Sequence, residues 1–178
     1  QEVRTSIGRD VFKAIAKLRA LRILWLERTG KNPFIHAVGS VRSLTRYDAH
    51  TNILRQTTQA FAAAVGGANA ITLWPYDLAS GDPSSLGQRI ALNTQLILLR
   101  ESRLDEIADP AKGSYYIDWL TRELVERTRS TTRKELYARR RSQPQPDEPI
   151  VGVTEFPLAG QTPLPAIQPE GTSLPLFA

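Results

Sequence analysis

Apolar residues recur at intervals of three and four from Val11 to Arg28. Val11, Ile15, Leu18, Leu21 and Trp25 share one side of a predicted helix, with Lys13, Lys17 and Arg28 elsewhere on the wheel. Asp10 is placed to cap it, because a short carboxylate accepts the free N–H groups of a first turn, and Gly30 is placed to stop it. The residues before Asp10 read as a short polar stretch that leads directly into this helix. Phe34 to Val38, a short and mostly apolar run, predicts a strand, and Gly39 to Tyr47 a polar loop. Thr51 to Val65 predicts a second helix with Ile53, Thr57, Ala60, Phe61 and Ala64 inward, ended by Gly66-Gly67. Ala70 to Leu73 predicts a second strand, broken by Trp74-Pro75. Asp82-Pro83 signals a helix start, with Asp as cap and Pro in the first turn. That helix runs from about Ser84 to Leu99, with Leu86, Ile90 and Ile97 on one side. Asp109 to Ser114 is a turn-rich connection, and Tyr115 to about Tyr137 is mostly helical with an interruption near Ser130.

Strands alternating with helices at this spacing imply parallel strands with helices outside. Two strands are too few for a stable sheet. Either strands are missed, or the chain completes a sheet supplied by missing sequence or a partner.

Composition narrows the chemistry. With 178 residues the chain can bury a core without staples. It has no Cys, which removes disulfides, thiolate nucleophiles and Cys-ligated metals and suits a reducing, cytoplasmic location. Its two histidines, His36 and His50, are too few for a three-His metal site. The net charge of +5 is a weak signal for nucleic acid. No apolar run is long enough for a membrane span, and no signal peptide is visible. The chain opens on Gln1 rather than Met, which reads as a processed or cut product.

Arg122 to Arg141 holds eight basic and three acidic residues, a surplus equal to that of the whole chain. No aromatic stacking pattern runs through it, so a solvated helix face, or contact with an acidic partner, fits better than nucleic acid. Gln143 to Ala178 carries eight prolines in 36 residues and is expected to be extended. Ile150 to Phe156 is apolar enough to dock on the body. Leu164, Leu174, Leu176 and Phe177 would otherwise meet water, which favours a tail that wraps a partner. The domain reading is therefore a body over 1–142 and a Pro-rich extended segment over 143–178.

Four segments then carry a family resemblance. They are Tyr47-Asp48-Ala49-His50-Thr51-Asn52-Ile53-Leu54-Arg55, the Ala60–Asn69 run ending in Gly66-Gly67-Ala68-Asn69, Arg89-Ile90-Ala91-Leu92-Asn93-Thr94-Gln95-Leu96-Ile97-Leu98, and Ala108-Asp109-Pro110-Ala111-Lys112-Gly113-Ser114-Tyr115-Tyr116. Together with Ala16 to Arg22 and Ile150 to Pro157, they resemble the adenosylcobalamin-dependent methylmalonyl-CoA mutases over about residues 11 to 160. The resemblance implies an α/β fold, the C-terminal part of a (β/α)8 TIM barrel, incomplete as a stand-alone barrel. It also implies acyl-CoA bound through the barrel and cobalamin against one barrel end, held largely by a separate domain with an Asp-x-His-x-x-Gly motif. The family chemistry is an intramolecular transfer, an isomerisation that the cofactor supplies and the protein positions. Asp48-Ala49-His50 mimics that motif, but Ile53 stands where its Gly is needed, so His50 is expected to be a local hydrogen-bonding or capping residue.

Two positions depart from the catalytic pattern. The resemblance places an arginine of active chains at Phe34 and a histidine at Thr72, and neither replacement can do the original chemistry. His36 matches a family histidine and Ser40 a family hydroxyl. Phe34, His36, Ser40, Thr72 and Trp74 are thus the candidates for a degenerate substrate- or cofactor-facing surface, with no confident catalytic residue and no metal ligand. Asn93 and Gln95 are expected to make structural contacts. The family includes heterodimers with a non-catalytic subunit, whose ending Val153 to Leu158 resembles. Between Leu124 and Tyr137 the sequence moves quickly to its final segment, where catalytic chains carry more helix.

Three readings follow. In the first, the chain is a non-catalytic or fragmentary component that supports assembly of a catalytic mutase subunit and binds no cofactor by itself. In the second, it is part of an active mutase interconverting methylmalonyl-CoA and succinyl-CoA once the rest is present, with adenosylcobalamin and acyl-CoA in the assembly. In the third, it is a diverged stand-alone binding domain. The isolated chain is expected to be inactive, with no nucleic-acid or membrane partner.

Overall fold

The computed structural model describes residues 1–131, 135, 149–151, 153–157 and 159–160. Three parallel strands, β1 (Glu2–Ile7), β2 (Phe34–Gly39) and β3 (Ala70–Thr72), lie in the order β1-β2-β3. Glu2 pairs with Phe34 and His36 with Ala70. Helix α1 (Val11–Thr29) links the first two strands and α2 (Thr51–Val65) the second and third. Helix α3 (Ser85–Leu96) runs into a π-helical turn, Ile97–Glu101, and α4 (Tyr115–Ser130) follows. In space the helices neighbour one another as α4, α1, α2, α3. The expected parallel α/β architecture is present, as three βα units of a barrel-like sheet.

The first strand corrects the reading of residues before Asp10 as polar lead-in. Val3, Thr5 and Ile7 alternate with Glu2, Arg4 and Ser6, the period-two signature of a strand with one covered face. Ile7 is buried beneath the helices. With β1 in place, the strand count rises to three.

The capping of α1 is as expected. The Asp10 carboxylate accepts from Lys13 N at 3.0 Å, and Gly30 closes the helix at φ 69°, a left-handed conformation suited to glycine. Ile15 and Leu18 pack with Ile7, Ile35, Ala37, Ala62 and Ala63 in the main core. Each such large side chain contributes about 1.5–3 kcal/mol by leaving water.

Helix α2 has the expected bounds but not the expected inward face. Asn52, Gln56, Gln59, Ala60, Ala62, Ala63 and Val65 are buried, while Phe61 is 41% exposed. The reason is local. The N-terminal half of α2 lies against loops whose backbone groups need partners, so amides take the inner positions. At the other half, alanines let the helix approach the sheet closely. Helix α3 is capped by Ser84, whose hydroxyl accepts from Gly87 N at 3.0 Å, rather than by Asp82. Its buried side is Gly87 and Ala91, and Leu86 and Ile97 are exposed. A Cβ on Gly87 would meet Asp77 Oδ1 at 2.2 Å, so glycine there leaves room for the Asp77 carboxylate against α3. The π-helical turn replaces the last α-helical residues predicted before Leu99.

Helix α4 ends at Ser130, where the interruption was expected. It is pinned by Arg19, which contacts Asp109 and bonds Asp118 at 2.8 Å. Most of the basic stretch beyond Thr131 and most of the Pro-rich segment, including Leu164, Leu174, Leu176 and Phe177, lie outside the described residues. Of Ile150 to Phe156, the start is docked. Arg9 Nη1 donates to Pro149 O at 3.2 Å, and Arg55 Nη2 donates to Val151 O.

Candidate functional site

Side chains of a strand alternate between faces. Val3, Thr5, Ile7, Ile35, Ala37 and Ile71 turn toward the helices. Glu2, Arg4, Ser6, Phe34, His36, Val38, Ala70 and Thr72 share the opposite face, over which no described element packs. In a closed barrel that face lines the interior.

The five candidate residues fall at three levels of this wall. Phe34 opens β2 at the N-terminal edge of the sheet and is 48% exposed. Ser40 and Trp74 lie just past the C-terminal ends of β2 and β3. Six residue steps along the strand separate Phe34 from Ser40, roughly 20 Å. Phe34 therefore does not share a barrel end with them. His36 and Thr72 lie between and touch.

His36 Nε2 is 2.8 Å from Thr72 Oγ1, and Nδ1 is 3.3 Å from Glu2 Oε1. Thr72 pairs with Val38 and Glu2 with Phe34, so both partners are diagonal neighbours of His36 on one face. With the proton on Nδ1, the ring donates to the Glu2 carboxylate and accepts from the Thr72 hydroxyl. The chain of contacts stitches all three strands, and both imidazole nitrogens are engaged. Glu2 was not among the sequence candidates. The alternation from Glu2 to Ile7 is the signal that could have placed it.

At the C-terminal ends, the polar atoms build the scaffold. Trp74 Nε1 donates to Gly39 O at 2.6 Å, and Trp74 N donates to Gln56 Oε1 at 3.2 Å. Ser40 N donates to Ile7 O and to Gln59 Oε1, both at 3.0 Å, and Gln59 Nε2 donates to Ser43 Oγ at 2.6 Å. A Cβ on Gly39 would meet Gln56 Oε1 at 2.6 Å, so glycine there lets α2 amides reach the strand end. Asn52 holds two loops at once. Its Nδ2 donates to Thr45 O and Tyr76 O, both at 2.8 Å, and its Oδ1 accepts from Thr45 N at 3.1 Å. These buried amides were missed because amides in a helix read as solvent-facing. Burial lowers the pKa of Arg55 from its ordinary value, as does Arg9, while Asp48 opposes them.

No three His, Cys, Asp or Glu side chains converge as a metal site among the described residues. His50 heads α2 but its side chain caps no N–H; the ring stacks on Tyr76 at 5.1 Å. This corrects its expected capping role to one of packing. Asp48-Ala49-His50 thus turns into the helix start rather than presenting a ligand, and the residues present do not fit cobalt ligation. Gln95 Nε2 bonds Ala91 O at 3.1 Å within its own helix, a structural contact as expected, and Asn93 is exposed. No helix among the described residues is long and apolar enough to cross a membrane.

Comparison with known proteins places these features. A family model described as methylmalonyl-CoA mutase matches residues 3–135. The methylmalonyl-CoA mutase small subunit of Streptomyces virginiae is 38% identical over 96% of the chain and 33% of that protein. The small subunit of Porphyromonas gingivalis is 39% identical over 67% of the chain and 21% of that protein. Methylmalonyl-CoA mutase of Escherichia coli is 39% identical over 70% of the chain and 19% of that protein. The chain spans about a third or less of the length of these relatives. The alignment to the Streptomyces protein covers 212 residues, more than the chain possesses, so that relative carries residues with no counterpart here.

Proposed function

The chain belongs to the methylmalonyl-CoA mutase family, and on that premise we propose that it is a non-catalytic component of such a mutase, a three-stranded barrel sector that supports assembly of a catalytic chain. The observation that carries this reading is the uncovered wall. Glu2, Arg4, Phe34 and His36 sit on a sheet face with no described element over it, and His36 has both ring nitrogens engaged by Glu2 and Thr72. A histidine so occupied has no nitrogen left for a thioester oxygen. Phe34 provides neither charge nor hydrogen bond. Cobalamin use is a property of the family, and no metal-ligating cluster stands among the described residues. The proposed organisation has a barrel sector over 1–142 followed by a Pro-rich segment over 143–178, in a cytoplasmic assembly that handles acyl-CoA.

Light scattering tests the reading, first on the chain alone and then mixed with a catalytic mutase subunit. A defined complex on mixing is expected. A compact monomer that ignores the subunit would overturn assembly in favour of an independent domain. Assayed alone with methylmalonyl-CoA and adenosylcobalamin, the chain should show no turnover, and Phe34→Arg should not create it. Turnover by the isolated chain would defeat the non-catalytic assignment.

A further inference from the structure

Three side chains on one face of the sheet stand in the order that acyl transfer needs. The Thr72 hydroxyl lies 2.8 Å from His36 Nε2, within the reach of a nucleophile and its base. On the other side of the ring, Glu2 Oε1 lies 3.3 Å from Nδ1 and orients the base. Among the described residues, His36 Nε2 is the acceptor for the Thr72 hydroxyl proton. Each of the three residues sits on a different strand, so the parallel register sets their order rather than a loop.

The pair is both sheltered and reachable. The His36 side chain is 16% exposed and Thr72 is half-buried, with no described element packed over either. A hydroxyl becomes a nucleophile when its proton has somewhere to go. With Nδ1–H held by the Glu2 carboxylate, the Nε2 lone pair receives that proton, and the carboxylate then faces the imidazolium. Arg4, in register with His36 on the same face, brings a positive charge to the side of a developing oxyanion. The contact that keeps His36 from a carbonyl oxygen is therefore the contact a general base requires.

We propose that Thr72, His36 and Glu2 act as nucleophile, general base and positioning carboxylate in the hydrolysis of small activated acyl esters. Thr72 Oγ1 bonds to the acyl carbon as its proton passes to His36 Nε2. The bond from that carbon to the leaving oxygen breaks, and the leaving group takes the proton. Water then attacks the acyl-threonine ester and gives a proton to Nε2, which returns it to Thr72 as the acid departs. The sum is ester plus water to acid plus alcohol, with no redox change. The assembly reading concerns isomerisation, and it neither needs nor forbids this reaction.

The test mixes the whole chain with p-nitrophenyl acetate in the absence of cobalamin. A burst of p-nitrophenolate stoichiometric with the chain is expected, followed by slower release. Mass spectrometry of the quenched chain should place the acetyl group on Thr72, as an ester that hydroxylamine removes. Thr72→Val and His36→Gln should each cut the acetylation rate at least about hundredfold. Thr72→Ser, which keeps the hydroxyl, should retain it. Glu2→Gln should slow acetylation at least about tenfold, and Glu2→Asp, which keeps the charge, should slow it less. Acetyl groups confined to lysines or the amino terminus would overturn the proposal. So would a rate unchanged by His36→Gln, or equal rates for Glu2→Gln and Glu2→Asp. A chain that joins a mutase subunit but is not acetylated at Thr72 defeats this inference alone. Acetylation at Thr72 without subunit binding defeats the assembly reading alone.

Discussion

The two faces of one small sheet differ sharply. On the helix side, Ile7, Ile35 and Ala37 meet Ile15, Leu18, Ala62 and Ala63 with almost no exposure. On the other side, Glu2, Arg4, His36 and Thr72 alternate with Phe34 and Val38, and the only side-chain hydrogen bonds described are those centred on His36. A sheet in a finished domain buries its apolar stripe and leaves the other face polar or covers it as well. Here the covered face is a completed core, while the open one mixes charge, a hydrogen-bonded histidine and an exposed phenyl. That mixture is what one wall of a barrel interior looks like when the opposite wall is elsewhere.

The sharpest way to break this contrast is to truncate one large residue on each face. Leu18→Ala empties a fully buried site and should cost about 2–5 kcal/mol in urea unfolding. Phe34→Ala should change stability by less than about 0.5 kcal/mol in the isolated chain, because nearly half of the ring is already in water. Comparable losses would mean that the open face is packed after all.

Asn52→Ala asks whether the polar rim belongs with the core. The substitution leaves Thr45 N, Thr45 O and Tyr76 O without their described side-chain partner in a half-buried setting, at a cost of about 2 kcal/mol. A loss below about 0.5 kcal/mol would show that water replaces the amide and that the rim is part of the open wall.

Legibility in the sequence follows the same division. Helix α1 and its caps were readable because Ile15, Leu18 and Leu21 repeat at helical spacing between Asp10 and Gly30. The sheet was read one strand short because β1 has charged or hydroxyl residues on its open face, and a strand with only one apolar face resembles a loop. The inward side of α2 was misplaced because Asn52, Gln56 and Gln59 answer to loop backbone rather than to the core. The His36–Thr72 contact was implicit in two candidates. Its meaning depended on the register that brings Glu2 to the other nitrogen.

The α1 cap gives a pH test on the covered side. Burial alone would raise the Asp10 pKa, but the hydrogen bonds and charge of Lys13, with the Phe12 N–H, outweigh it and hold the carboxyl below its ordinary value. A lowered folded pKa means that the cap stabilises above the ordinary aspartate range and that this stability is lost as pH falls through the folded value. The side chain is nearly half exposed, so the expected contribution at neutral pH is about 0.5–1 kcal/mol. Asp10→Ala should remove that amount at pH 7 and converge with the parent at pH 2. A constant gap across the range would show that the carboxylate is not what caps α1.

The smallest expected effect bears most directly on the open face. Thr72→Val keeps the shape of the side chain but removes the hydroxyl that His36 Nε2 contacts, its donor when the ring proton is on Nδ1. In a buried core, stranding that nitrogen would cost about 1–3 kcal/mol. At this part-buried edge of the uncovered face, where no described element packs over the ring, water takes the place of the hydroxyl, and the loss should be about 0.5 kcal/mol. The 15N shifts of the His36 ring then report what stability cannot. With Glu2 still accepting from Nδ1, the tautomer should persist while the Nε2 resonance moves, and Glu2→Gln should disturb Nδ1 instead. If Thr72→Val were as damaging as Leu18→Ala, the polar wall would be carrying the fold of the isolated chain, and the contrast between a completed face and an unfinished one would fail.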